Sequence, residues 1–284
     1  MHHRFSRVSV LACALMLPPT FAHAQQGATT KNSRAATRAL KDSLQAILDR
    51  AVADSAFSGA VAVIGTHTGP LVTVTAGRQD WGSVYKTTIS TIWDLASLTK
   101  VVGTTSAMMQ LVESGKVDLD APVQQYLPEW LGTNKEKVTV RHLLTHQSGL
   151  PAFKTYYKAN VSPDSTLRLF MNTPLDTLPG VRMVYSDIGA ILLGKIVERV
   201  SGETLDRYLS RHVFTPLGMV DTRFKPLSVE RYRTAPTEND PWRGRHLLGE
   251  VHDENAYALG QVSGHAGLFS TARDLEKLAG AYLN

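Results

Sequence analysis

Apolar residues recur along this chain at two different periods, and the change of period divides it into regions. Over residues 33–54, Leu40, Leu44, Ile47, Leu48 and Val52 fall three or four positions apart, which predicts an amphipathic helix. Two short β-branched runs follow, 59–65 and 71–77, separated by a turn at 66–70, and these predict an antiparallel hairpin. Residues 79–90 carry no period and read as loop. A helix is expected from near Ser97 to Gly115. Its apolar residues, among them Leu98, Val101, Met108 and Val112, occupy more than one face, so it should be buried on most sides. Further helices are expected over 140–145, 188–200, 205–213 and 272–282, with Gly149, Gly202 and Gly218 as stops. A lone hairpin is marginal in water, so the two strands call for sheet partners that the visible pattern does not supply.

The first residues change the picture at one end. Residues 1–7 carry Arg4 and Arg7 and no acid, residues 8–17 are almost wholly apolar, and Ala22-His23-Ala24 has the small-x-small form of a cleavage site. Residues 1–24 are therefore expected to be an export signal, giving a secreted protein that is periplasmic in a Gram-negative host. Residues 25–32 are expected to be a flexible leader, and residues 33–284 one domain. The apolar run is about half the roughly 20 residues of a spanning helix, so no stable membrane anchor is expected. Cys13, the one cysteine, falls inside that signal behind a poor lipobox, Val10-Leu11-Ala12. The mature chain thus has neither disulfide nor thiolate, and its stability must come from packing. At 43% hydrophobic composition it can build one large domain or two intimately packed lobes.

Charge adds little. Removing Arg4 and Arg7 with the signal takes the formal net charge from +5 to +3. The densest basic stretch, Arg231, Arg233, Arg243 and Arg245, is interrupted by Glu238 and Asp240 and reads as a solvated loop. No nucleic-acid module is recognisable, and no nucleic-acid partner is expected.

The sharpest chemical signal is Ser97-Leu98-Thr99-Lys100. At a helix start, residues i and i+3 share a face, so the Lys100 ammonium can approach the Ser97 hydroxyl. A serine hydroxyl is inert until a base takes its proton or a cation stabilises the alkoxide, and free N–H groups at the helix N-terminus suit a developing oxyanion. The pattern alone is weak: Ser83-Val84-Tyr85-Lys86 repeats it, but without a helical apolar pattern, and is read as a decoy. Tyr185-Ser186-Asp187 precedes the 188–200 helix. There a phenol near a lysine could take the serine proton and return it to a leaving group. Either Ser186 or Asp187 would cap that helix. His142 and His146 stand at i, i+4, but Leu143 replaces the glutamate of a zinc-protease motif. They read as helix-packing or turn-stabilising residues, with His252 and His265 as weak third candidates, so no metal or other cofactor is expected.

With these motifs placed, the chain resembles the family of class C β-lactamases, serine DD-peptidases and related esterases. The resemblance runs from about Leu40 to Asn284. It rests on Asp94-Leu95-Ala96-Ser97-Leu98-Thr99-Lys100, on the 140–150 stretch ending Thr145-His146-Gln147-Ser148-Gly149-Leu150, on Tyr185-Ser186-Asp187 and on Pro216-Leu217-Gly218-Met219. Val251-His252-Asp253-Glu254-Asn255 and Gly264-His265-Ala266-Gly267-Leu268-Phe269-Ser270 are most similar to DD-carboxypeptidase-type members.

The resemblance implies an α/β (α+β) β-lactamase/transpeptidase-like fold, an antiparallel-sheet lobe plus a large helical lobe, with the active site between them. It implies acylation of Ser97 with Lys100 and Tyr185 as bases, and Asp187 and His265 among the substrate-binding residues. It implies a small-molecule, peptide or ester substrate, with peptidoglycan-derived peptides among the candidates. Two departures stand out. Asp187 replaces the usual asparagine, and a carboxylate binds lysine more strongly but cannot donate a hydrogen bond. The family's third motif, Lys-Thr-Gly or His-Thr-Gly opening a strand, is expected to lie beyond Asn284. Residues 270–282 read as a capped helix instead, which leaves the sheet lobe short of strands. A truncated, catalytically weak chain that binds substrate-like ligands and, less favoured, a metal-dependent hydrolase stay open beside the serine hydrolase.

Overall fold

The computed structural model describes residues 20–284, with side chains from Ser33 onward, so the expected signal lies largely outside the described residues. Helix α1 (Thr20–Ala53) opens the described chain. It includes residues 25–32. Strands β1 (Gly59–Thr66) and β2 (Gly69–Gly77) form the predicted antiparallel hairpin, paired from Gly59–Gly77 to Thr66–Gly69. Val72, Val74 and Ala76 are buried on alternate residues of β2, the period-two signature of a half-covered sheet. Gln45 on α1 donates to the Thr75 carbonyl at 3.0 Å. Among the described residues this sheet has two strands, flanked by α1 and the last helix.

A second small sheet was not anticipated. Strand β3 (Trp93–Asp94), β4 (Arg223–Phe224), and β7 (Leu268–Ser270) form it, with β7 central and both pairings antiparallel. Between the last two, β5 (Asn239–Asp240) and β6 (Arg245–His246) make a short hairpin of their own.

The expected helix after residue 96 is one continuous helical run with three pitches. A 3₁₀ turn at Ala96–Leu98 leads into a widened π turn at Lys100–Thr105 and then α2 (Ser106–Glu113). Wide turns of this kind cluster at functional sites. The remaining helices are α3 (Val140–Leu144), α4 (Pro163–Met171), α5 (Asp187–Ser201), α6 (Leu205–Leu209), α7 (Glu254–Ala258) and α8 (Ala272–Tyr282). Helix α5 is apolar on nearly every face, and Ile188, Ile191, Leu192, Ile196 and Val197 are all buried in the main core. That core joins α2, α3, α4 and α6 through Met108, Leu111, Leu143, Phe170 and Leu209. Helix α5 ends at Gly202, whose φ of +71° is the left-handed cap that glycine adopts without steric cost.

The basic stretch is less solvated than its composition suggests. Arg243 is buried between the rings of Trp242 and Tyr257, paired with Asp240, and donates to the carbonyls of Val251 and His252 at 2.7 and 2.6 Å. Arg233 bridges Asp221 and Glu230. Arg231 is exposed, and Arg245 also stays near the surface, held by Glu250. No helix among the described residues is long and apolar enough to cross a membrane.

Candidate active site

Ser97 stands on a strained turn. Ala96 before it has φ of +45°, a conformation that costs a residue with a Cβ about 1–3 kcal/mol unless its surroundings enforce it. Asp94 supplies the enforcement: one carboxylate oxygen accepts from the Ala96 N–H at 2.8 Å, the other from the His252 N–H at 2.7 Å. Burial raises the Asp94 pKa above the usual carboxylate range, and these two N–H groups offset part of that rise. The turn is also tied to β7, through Leu95 N–H to Leu268 O at 2.9 Å and Leu268 N–H to Thr99 Oγ1 at 3.1 Å. Ser97 itself is exposed at the surface of this assembly.

Lys100 lies one turn on and is buried. Its Nζ donates to Ser97 Oγ at 2.9 Å and to the His265 carbonyl at 3.0 Å, and pairs with Asp187 Oδ1 at 2.7 Å. Two hydrogen-bond acceptors and one carboxylate charge thus surround the ammonium, which fixes where it points. Asp187 is the first residue of α5, capped by Ser186, whose Oγ accepts from Gly189 N–H at 3.3 Å and donates to Pro151 O at 2.7 Å. The carboxylate in place of asparagine forms the tight lysine contact that the residue type suggests.

Tyr185 is in the same place but in a different relation. The Lys100 Nζ stands 4.9 Å from its ring centroid, a cation–π contact, and half of the residue is exposed. No hydrogen bond joins the phenol to Ser97 or Lys100 among the described contacts. Ser97, Lys100, Tyr185 and Asp187 are therefore brought together, with lysine as the group that touches the serine.

His265 is enclosed, unlike Ser97. Its side chain is fully buried, with Nε2 at 2.9 Å from Asp253 Oδ1 and Nδ1 at 2.8 Å from Ser263 Oγ. What it presents to Lys100 is its backbone carbonyl. The decoy serine and lysine also resolve: Ser83 Oγ accepts from Tyr85 N–H within a loop, and nothing joins it to Lys86. His67, Thr68 and Gly69 carry the letters of the third motif as well. They form the β1–β2 turn, where Asn284 donates to His67 O at 3.4 Å, rather than a strand beside Ser97.

The two histidines spaced four apart separate. His142 is part of the α3 cap, its Nδ1 facing the Thr139 N–H at 3.1 Å. His146 belongs to the site, which sequence reasoning missed. Its ring packs against Tyr185 with centroids 4.5 Å apart and the planes tilted by 40°, and its Nδ1 accepts from the Ser186 N–H at 3.1 Å. Among the described residues no group of three or more His, Cys, Asp and Glu is placed to hold a metal. Burial, then the Lys100 charge, lowers the His146 pKa below the usual imidazole value, with Asp187 opposing.

A pH dependence follows. A neutral His146 accepts from Ser186 through Nδ1, and a protonated ring cannot, so acid releases the Tyr185-Ser186-Asp187 loop. Because the folded-state pKa is the lower one, the native state binds fewer protons. The stabilisation is then complete above the ordinary value of about 6.5 and is lost as pH falls below it. Thermal midpoints of the wild type should fall over that acid window. His146→Asn, whose Oδ1 can accept and whose type tolerates the φ of +57° found here, should show a flatter profile. An unchanged slope in the variant would remove His146 from the account.

Residues 44–284 match the family model described as Beta-lactamase. A protein of Escherichia coli (strain K12) named "Putative D-alanyl-D-alanine carboxypeptidase" is 38% identical over 226 residues, which cover 70% of this chain and 52% of that protein. The chain spans about half the length of the curated relatives it matches. The octameric penicillin-binding protein homologue from Pyrococcus abyssi superimposes with a TM-score of 0.69 at 27% identity, covering 85% of this chain and 56% of that one. EstCE1, a hydrolase with promiscuous acyltransferase activity, superimposes with a TM-score of 0.70 at 23% identity over 86% of this chain and 72% of its own, a likeness of fold.

Proposed function

Since the chain belongs to the β-lactamase family, we propose that it is a serine hydrolase that forms an acyl-enzyme at Ser97. The observation that carries this is the lysine: Nζ stands 2.9 Å from Ser97 Oγ and is held there by Asp187 and the His265 carbonyl. In acylation the Lys100–Tyr185 pair first gives up one proton to water. Ser97 Oγ then bonds to the substrate carbonyl carbon as the C=O π pair moves onto oxygen, and the serine proton fills the vacant place on the pair. The carbon–nitrogen or carbon–oxygen bond then breaks, and the pair returns that proton to the leaving amine or alcohol. In deacylation a water attacks the ester, its proton passes to the same pair, and Ser97 Oγ takes a proton back as it leaves.

The substrate class this supports is a peptide or ester carbonyl. A peptidoglycan-derived peptide ending in D-alanyl-D-alanine is the finer proposal, resting on the name of the Escherichia coli relative. Leu98, next in sequence to the serine, is an exposed apolar side chain and suits an ester with an apolar group equally well. The export signal read at 1–24 supports secretion, with the periplasm as destination in a Gram-negative host.

One observation favours a second reading, a chain that acylates but turns over slowly: the β1–β2 sheet has only two strands among the described residues. Loss of one oxyanion donor costs roughly 10²–10³ in rate, so a site short of a neighbouring strand would show this as slow release.

Intact-mass detection tests both. Signal-free protein incubated with a reactive phenyl ester or a penicillin should gain one acyl mass, and the Ser97→Ala variant should gain none. Folded wild-type protein without an adduct would sink the proposal, and an adduct that persists for hours would select the slow-turnover form.

A further inference from the structure

We propose that the His252–Asp253 dipeptide braces Ser97 against Lys100, with Asp253 and His265 as positioning residues for the nucleophile. The inference rests on the reading of Ser97 as nucleophile and adds residues that do not touch the substrate.

The argument follows the hydrogen bonds outward from both reacting groups. From the serine side, the strained Ala96 is held through its N–H by Asp94, whose other oxygen accepts from the His252 N–H. On the lysine side, Nζ donates to the His265 carbonyl, and the His265 ring is held at Nε2 by Asp253 Oδ1. The two paths end on adjacent residues. Whatever displaces 252–253 displaces the serine turn and the lysine acceptor together.

The brace is anchored rather than free. Arg243, buried between two aromatic rings, donates to the carbonyls of Val251 and His252. Asp253 also caps α7 by accepting from Ala256 N–H at 2.7 Å. Both ring nitrogens of His265 are engaged, so the residue has one orientation, and its carbonyl shares that rigidity. The flanking backbone is fixed as well: Gly264 O accepts from Thr104 Oγ1 at 2.7 Å. Burial alone would raise the Asp253 carboxyl, yet the His265 contact and the Ala256 N–H carry its pKa down to about 2, as expected of a charged partner held against an imidazole.

A polar cluster that only satisfied its own hydrogen bonds would not have to reach the reacting pair at two points. Misplacing catalytic groups by about 1 Å can cost roughly 10²-fold in rate, which sets the scale of the expected effect.

The test is the second-order rate at which a fluorophosphonate probe modifies Ser97, read by intact mass, beside kcat and KM for a nitrophenyl ester. His265→Ala and Asp253→Ala should lose about 30- to 100-fold in phosphonylation and in kcat, with KM within about threefold. His265→Gln, whose amide can donate to Asp253 in place of Nε2–H, should recover most of the loss. A folded His265→Ala reacting within threefold of wild type would overturn the brace, as would a His265→Gln that recovers nothing. Should the alanine variants fail to fold, His265→Gln and Asp253→Asn carry the comparison, and Asp253→Asn should lose about three- to tenfold. A wild-type protein that the probe leaves unmodified removes the nucleophile reading instead. In that event amide exchange over residues 94–104 decides the brace: it should quicken about tenfold in Asp253→Asn, and unchanged exchange overturns it.

Discussion

Replacing Lys100 by methionine should remove acylation and about 2–4 kcal/mol of stability at once, and adding Asp187→Asn should restore the second but not the first. Lys100 is buried, and its Nζ faces Ser97 Oγ, His265 O and Asp187 Oδ1. Methionine fills the volume of the stem but brings no donor, so it strands a carboxylate and a carbonyl. Breaking a buried ion pair by removing one partner costs about 3–5 kcal/mol, because the other charge is left uncompensated. Asp187 keeps 20% of its side chain exposed, and water there lowers the expected cost. Asparagine removes the stranded charge, so the double variant should melt several degrees above the single one. Both should form the acyl adduct at least about 10³-fold more slowly than wild type, since neither can carry the serine proton. Thermal midpoints and adduct rates on the same samples separate the effects. A double variant no more stable than the single would mean that the ion pair does not hold the site, and near-wild-type acylation by Lys100→Met would remove lysine from the proton path.

What the sequence disclosed was whatever depends on neighbours within a turn or two. Ser97 and Lys100 were legible because helical spacing alone puts them on one face, and the loop around Ser83 lacked that spacing. The hairpin, α5 and α8 were legible from periodicity long enough to register. Strands β3, β4 and β7 were not, since two or three residues cannot establish a period, yet their sheet carries the serine turn. His146 gave no local sign of its role, because the contact it makes is with a loop forty positions away. The surroundings of His265 were not legible for a related reason. Its neighbours imitate a substrate-facing motif, whereas the side chain is claimed by Asp253 and Ser263 behind the site. Arg243 was taken for a solvated residue because composition cannot show that Trp242 and Tyr257 enclose it.

Gly264→Ala should be among the most damaging single changes in the chain, with a loss of about 3 kcal/mol or more. A Cβ at this position would stand 2.1 Å from the Ala190 carbonyl oxygen and 3.1 Å from the Gly194 nitrogen, both backbone atoms of α5. Helix α5 is buried along most of its length and cannot give way without opening the core around Ile191 and Leu192. Nor can residue 264 retreat freely, because its carbonyl is tied to Thr104 Oγ1. Overpacking typically costs about 1–3 kcal/mol where side chains can shift, and here the clash is with a helix backbone. The same strip carries the His265 carbonyl that holds Lys100, so the folded fraction at low temperature should also acylate about 10- to 100-fold more slowly. Gly280→Ala is the matched control. It lies within α8 with nothing inside 4 Å of a new Cβ, and alanine there should stabilise the helix by about 0.5–1 kcal/mol and leave acylation unchanged. Urea midpoints of the two variants against wild type should therefore move in opposite directions. A Gly264→Ala protein that unfolds at the wild-type midpoint would mean that α5 and the 263–268 strip are not in backbone contact, and the path from Lys100 to the core would have to be redrawn.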